Sequence, residues 1–204
     1  MKTLRWVLAA TLICGMGVFT SCSKDKEVEP KKVEPKNSMD YLREDYAAVI
    51  AAYPEFKGSL VEARYELNGL LSQTNPSDLK PVSVDCYFYH VRMEGTEVKG
   101  FEVVELLRDF ETGKVEMEKI ELERFWEEDD FIPTLDNYIS LEKAIECAYA
   151  VDCMKPASKF VVFRNPVNPF PAHDEPMYIF GNQDGNLLYI DAVTGKLMES
   201  SDEE

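Results

Sequence analysis

LRDFETGKVEM (residues 107–117) and YIDAVTGKLME (189–199) superimpose at a shared Thr-Gly-Lys. Each has apolar residues alternating with polar ones on both sides of a Thr-Gly step. That is the pattern of two strands joined by a tight turn. Working outward from each turn, the chain gives one helical stretch followed by extended ones. The first helix spans Asp40 to Tyr53, with Leu42, Tyr46, Val49, Ile50 and Tyr53 on one stripe and Pro54 behind them. The second follows Ser140, an N-cap residue with Lys143 at the third helical position, and buries Leu141, Ala144, Ile145 and Ala148. The order is helix then four strands, twice. The fold class is therefore α+β, with two tandem units, each a helix plus a four-stranded antiparallel sheet, over residues 39–130 and 131–204.

In the first unit, LVEARYEL (60–67) alternates, with Val61, Ala63, Tyr65 and Leu67 on one face and Glu62, Arg64 and Glu66 on the other. VSVDCYFYHVRM (82–93) is β-branched and aromatic, and VKGFEVVELLRDF leads into the Thr112-Gly113 turn. Beyond that turn Val115 and Met117 share one parity while Ile120 and Leu122 share the other, so a β-bulge near Glu118 and Lys119 is expected, with a helix as the weaker alternative. In the second unit KFVVFR, PMYIF, NLLYID and KLMES are short strands, with hairpin turns at Asp184-Gly185 and Thr194-Gly195.

The N-terminus is of another kind. Lys2 and Arg5 precede a run from Trp6 to Phe19 that is apolar or small, too short to span a membrane with stop-transfer flanks. It reads as a signal peptide over 1–21. Phe19, Thr20, Ser21 and Cys22 resemble the bacterial lipobox, although the bulky position is usually leucine. The resemblance implies cleavage before Cys22 and lipidation of its thiol, as by palmitate; several acyl chains hold a membrane firmly, at roughly 0.8 kcal/mol per buried methylene. The alternative is plain secretion with Cys22 a free thiol. Residues 22–38, with their repeated VEPK and dense charge, form a flexible tether. Asp25 and Glu27 resemble, loosely, the acidic sorting signal of Bacteroidota lipoproteins. This places the protein at the outer membrane, facing periplasm or cell surface.

The chain of 204 residues has 22 Lys and Arg against 38 Asp and Glu, a net charge of −16. That excludes binding to nucleic acid, which depends on cations displacing counterions. It also excludes electrostatic adhesion to anionic lipid, so the acyl anchor is the only membrane contact expected. Cys147 and Cys153 are spaced to close a disulfide outside the cytoplasm, which leaves Cys86 as a buried thiol.

SLEKAIECA (140–148) followed by PMYIFGNQDGNLLYIDAVTGKLME (176–199) is similar to PepSY domains. The resemblance rests on the helix start and on Tyr189, Asp191, Thr194, Gly195 and Lys196. It covers the last third of the chain and, more weakly, the first unit. The tandem arrangement also resembles the architecture of β-lactamase inhibitor protein. The resemblance implies a small extracytoplasmic binding module, of a family suspected of inhibiting peptidases, and brings no catalytic residues.

No catalytic residue, metal ligand set or cofactor is expected. His90 sits among strand aromatics as a sheet residue, and His173 lacks companions at metal-ligand spacing. The chain contains no GxSxG, HExxH or phosphate-binding glycine loop. The proline-rich RNPVNPFPAHDEP (164–176) is longer than a hairpin requires. Either it is a stiff connector with Phe170 in the core, or Pro169, Phe170 and Pro171 present an apolar anchor to a partner. The function expected is therefore a non-enzymatic envelope lipoprotein that binds a protein or peptide, a secreted protease in its most concrete form. The alternative is a small-ligand carrier with Tyr87, Phe88 and Tyr89 lining a sheet cavity.

Overall fold

Asn37 opens the first helix through a capping box. Its Oδ1 accepts from the backbone of Met39 and Asp40, each at 3.0 Å, and Asp40 Oδ2 accepts from Asn37 N at 3.1 Å. The computed structural model describes residues 35–122, 131–132, 134–151, 158–166, 175–181 and 187–198. Its elements in order are α1 (Ser38–Ala52), β1 (Ser59–Leu67), β2 (Pro81–Glu94), β3 (Glu97–Asp109), β4 (Val115–Leu122), α2 (Leu141–Tyr149), β5 (Phe160–Arg164), β6 (Met177–Gly181), β7 (Leu187–Asp191) and β8 (Leu197–Met198). A single 3-10 turn, Pro76–Asp78, lies between β1 and β2.

The strands form one antiparallel sheet in the order β4-β3-β2-β1-β5-β6-β7-β8. This is larger than the four-stranded units expected. The reason is the pairing of β1 with β5, from Glu62 opposite Arg164 to Glu66 opposite Phe160, which joins two meanders edge to edge. An exposed edge strand invites pairing, and here each inner edge satisfies the other.

Both helices lie on the same face. Leu42 and Val49 of α1 and Leu141, Ala144, Ile145 and Ala148 of α2 share one core with Ala63, Tyr65, Cys86, Phe88, Val104, Phe163, Tyr178 and Ile190. The α2 stripe is the one its sequence predicts, and Ser140 caps it by accepting from Lys143 N at 3.4 Å. The helix N-termini touch. Ser38 Oγ accepts from Leu141 N at 2.7 Å and donates to Glu142 Oε2 at 3.0 Å, while Ser38 N donates to Glu142 Oε1 at 3.1 Å. A carboxylate thus stands between two positive helix ends, where it is favoured. Ser38, at the end of the expected tether, is the first residue of α1 and is buried.

One charge pair enters this core. Asp45 of α1 is fully buried and accepts two hydrogen bonds from Arg108 Nε, at 2.9 and 3.1 Å, and a third from Nη2. The guanidinium also lies over the Tyr41 ring, 5.1 Å from its centre.

Two expectations of phase are corrected. No bulge interrupts β4: its register with β3 runs unbroken from Arg108 opposite Val115 to Phe101 opposite Leu122. Ile120 instead faces away from the helices, opposite Val103. The register shifts instead in β1, between Leu60 and Glu62 and again between Glu66 and Leu67, and in β2 between Arg92 and Met93; at the first of these Val61 leaves the face of Ala63, Tyr65 and Leu67. Val61 packs with Tyr89 and Val103, and with Phe101 and Phe131, in a second apolar cluster on the far side.

The two Thr-Gly turns have the same geometry. Asp109 N donates to Lys114 O and Gly113 N to Asp109 O, both at 2.9 Å; Asp191, Lys196 and Gly195 repeat both bonds at 2.9 Å. Asp109 Oδ1 accepts from Glu111 and Thr112 at 2.8 and 2.9 Å, and Asp191 Oδ1 from Val193 and Thr194 at 2.7 and 2.8 Å. Gly113 and Gly195 have φ of 71° and 70°, the left-handed region that glycine enters without strain.

Candidate binding face

The far face of the sheet, away from both helices, is where the charged half of the strand alternation collects. β1 contributes Glu62, Arg64 and Glu66; β2 contributes Asp85, Tyr87 and Tyr89; β3 contributes Glu105 and Leu107; β5 contributes Phe160, Val162 and Arg164. The register brings Glu62 beside Tyr87 and Arg164, and Arg64 beside Asp85 and Val162.

Glu62 is the pivot. Its side chain is 3% exposed and is held by two guanidiniums, Arg64 on its own strand and Arg164 Nη1 across the β1–β5 seam at 2.9 Å. Burial of a carboxylate requires this kind of compensation. The Arg64 guanidinium also covers the Tyr87 ring at 5.2 Å. Tyr87 Oη lies 2.7 Å from Asp85 Oδ2 and 3.2 Å from Glu105 Oε1. One hydroxyl proton serves both carboxylates in turn. Burial and the hydrogen bond to Asp85 push the Tyr87 phenol well above its ordinary range, so it stays protonated and a donor.

Around this polar centre stand apolar side chains that water reaches. Phe160 is 58% exposed, Leu107 43% and Ile120 36%. The face closes at either side, where Tyr89 is stacked on Phe101 and where Met177 and Met198 are buried. The middle is thus a mixed surface of one aromatic ring, guanidinium, carboxylates and exposed apolar groups. Such a surface has the mixture of groups found at protein interfaces.

The sequence-predicted sites are distributed as follows. Cys22, Cys153, Pro169, Phe170, Pro171, His173 and the Asp184-Gly185 turn lie outside the described residues. Cys147 is half-buried on α2, and Cys86 is buried in the core, where desolvation pushes its thiol far up. Tyr87, Phe88 and Tyr89 do not line one cavity. Phe88 stacks under Tyr46 on the helix face, and the strand turns its two neighbours to the other side. His90 faces the helix side, edge-on to Phe56 at 5.3 Å and 3.4 Å from Glu102.

A cleft of about 280 Å3 between α1 and the start of β1 is lined by Arg43, Tyr46, Leu60, Ile132 and Leu135. Arg43 is engaged there already, with Asp40 at 3.0 Å and Leu135 O at 2.9 Å. Among the described residues, no three His, Cys, Asp or Glu side chains are grouped to hold a metal ion, and no helix is long and apolar enough to cross a membrane.

The Glu62–Arg164 link across the seam was missed from sequence. Its only local signal is the charged parity of Glu62 and Arg64, which does not tell which distant strand supplies the partner. No family model, curated protein or solved structure matches the chain.

Proposed function

We propose that this is an envelope lipoprotein, anchored through lipid on Cys22, whose folded body binds a protein or peptide partner and performs no chemistry of its own. A secreted protease is the most concrete partner, and occlusion by the far face is the mechanism. The observation that carries the reading is the one-sided placement of the helices. They leave a sheet face on which exposed Phe160 and Leu107 flank the Arg64–Tyr87 stack. Interfaces are rich in such aromatic and arginine groups. The matching geometry of the two Asp-to-Lys turns supports the finer reading of two PepSY-like units in tandem.

The test is a titration of the full-length protein against a panel of secreted endopeptidases. Stoichiometric loss of activity with one member, relieved by Arg64→Glu with Phe160→Asp, supports the reading. Full activity across the panel removes the inhibitor form. Mass spectrometry of the natively made protein should show Cys22 as an acylated N-terminus; an unmodified Cys22 removes the anchor.

A further inference from the structure

β4 ends the sheet on one side and β8 on the other, but the two edges are unequal. β8 has two residues, Leu197–Met198, whereas β4 runs from Val115 to Leu122 in unbroken register with β3. One side of the β4 backbone is laddered to β3. The outward side has no strand partner among the described residues. A straight, unbulged edge of this length is a template for another strand unless its side chains forbid it.

The side chains forbid one class of strand and favour another. On the far face Glu118 stands directly opposite Glu105, a like-charge pair, and Glu116 stands opposite Leu107. Glu105 shares the single Tyr87 hydroxyl with Asp85, and Glu116 has only the exposed Lys114 beside it. Glu118 has no cation among the described residues. On the helix face the order is Val115, Met117 and Lys119, with Lys119 turned to Glu102 at 3.0 Å.

A second copy fits this edge badly in the two-fold registers centred on residues 116 to 119. Centred on Glu116 or Glu118, the axis sets that carboxylate against itself. Centred on Met117, it sets Glu116 against Glu118 twice. Centred on Lys119, it opposes two ammonium groups. Like charges directly opposite destabilise a strand pair. Centred on Ile120, the axis would set Lys119 opposite Glu121 but leave Glu118 opposite Leu122, with no counter-charge.

We propose that the β4 edge binds an extended cationic segment of a partner protein by strand addition. In the antiparallel sense its residues opposite Ile120 back to Val115 read apolar, acidic, basic, apolar, basic, apolar. The two basic residues neutralise Glu118 and Glu116, the acidic one meets Lys119, and the apolar ones extend the surfaces of Ile120, Met117 and Val115. The backbone ladder supplies affinity, and the charge order supplies selection. This rests on the reading of the protein as a binder and specifies its site and partner.

The probe is a fluorescein-labelled peptide with the core Val-Glu-Lys-Val-Lys-Val between threonines, titrated into the full-length protein. Binding is expected to weaken with salt, and to weaken about tenfold or more in Glu116→Lys with Glu118→Lys. Both residues are exposed, and far-ultraviolet circular dichroism confirms that the variant is folded. A peptide with its charges reversed should bind that variant in preference to the wild type. N-methylation of alternate peptide residues gives two phases: one should abolish binding, because its amides face β4, and the other should leave it.

Equal behaviour of the two phases shows attraction without a ladder and overturns the proposal, as does absence of binding by the unmethylated peptide. Protease inhibition that persists in the absence of peptide binding overturns the edge while leaving the binding reading intact. Phase-dependent peptide binding without inhibition of any protease supports the edge and removes the inhibitor reading.

Discussion

Asp45→Asn isolates the charge pair that ties α1 to β3. Asp45 is 0% exposed, and the Arg108 side chain is 13% exposed, so both groups are largely removed from water. The substitution keeps the shape of the side chain and deletes its charge. Arg108 then stays under α1 with no counter-charge, its guanidinium facing an amide. Removing one partner of a buried pair costs about 3–5 kcal/mol. The residual exposure of Arg108 favours the lower end, about 3 kcal/mol. For a domain of this size each kcal/mol moves Tm by about 2–4 °C, so a fall of about 6–12 °C is expected. Urea unfolding followed by circular dichroism at neutral pH measures the loss, provided the urea dependence keeps its slope. Asp45→Leu with Arg108→Met replaces the pair by apolar groups and should recover to within about 1 kcal/mol of wild type. A cost under about 1 kcal/mol for Asp45→Asn would refute the burial argument. A double variant as unstable as the single one would show that shape, not charge, governs the site.

Gly113→Ala and Gly195→Ala probe two turns of equal backbone geometry. Each places an L side chain at positive φ, at a cost of about 1–2 kcal/mol. Gly195→Ala should cost measurably more in the same urea titration, because its Cβ would stand 3.0 Å from Cys147 Sγ while that of Gly113 meets nothing within 4 Å; equal costs would contradict the packing of α2 on this turn. Burial works to raise the carboxyl of Glu102, but Lys119, with His90 and Arg92, outweighs it and holds the value below the ordinary 4.5. Its contribution to stability is therefore present above about pH 4.5 and lost as pH falls through the lower folded value, so wild type minus Glu102→Gln should shrink in acid; a difference that grows in acid would reverse the assignment. Glu62→Gln leaves the largely covered Arg164 at the seam with a weakened partner and should cost about 3 kcal/mol, the lower end for a buried pair, read as a fall in the urea midpoint; an unchanged midpoint would show that the seam holds without this pair.

Local features were legible in the chain because local chemistry determines them. The α2 stripe of Leu141, Ala144, Ile145 and Ala148 follows helical spacing, and both Thr-Gly turns follow from the positive φ that glycine tolerates. The strand phases were harder. A reading that assumes one buried face treats Ile120 as an error to be repaired by a bulge, whereas Ile120 belongs to a second face with its own apolar cluster. The shift at the start of β1 escaped notice because the residue it displaces, Val61, is apolar and sustains an alternation that the backbone breaks. The β1–β5 pairing joins residues about a hundred positions apart through backbone bonds, and no side-chain pattern announces it. Asp45, in the middle of an apolar stripe, was invisible as a core residue because its partner Arg108 lies on a distant strand.

These misread phases bear on the binding reading. Had Val61 stayed with Ala63 and Tyr65, the far face at β1 would have been wholly charged. The shift moves one apolar residue across, and Val61, Tyr89 and Val103 form a floor beneath Phe101 and Phe131. The parity of β4 does the same for Ile120. Both changes place apolar area on the first half of the sheet, beside Glu105, Glu118 and the Arg64–Tyr87 stack. A surface that only kept the protein soluble would gain nothing from apolar groups there, since each exposed one adds an aggregation risk. Joining the meanders at β1 and β5 also leaves two edges without a strand partner among the described residues, and the longer one borders this same half. Apolar area, charge and open ladder therefore converge on β3 and β4, while β8 contributes a two-residue edge that supports little pairing. A partner that engages the protein through backbone and charge together should for that reason protect the amides of β4 from hydrogen exchange and leave those of β8 unchanged. Protection of β8 without β4 would place the interface on the wrong half of the sheet and defeat the inference.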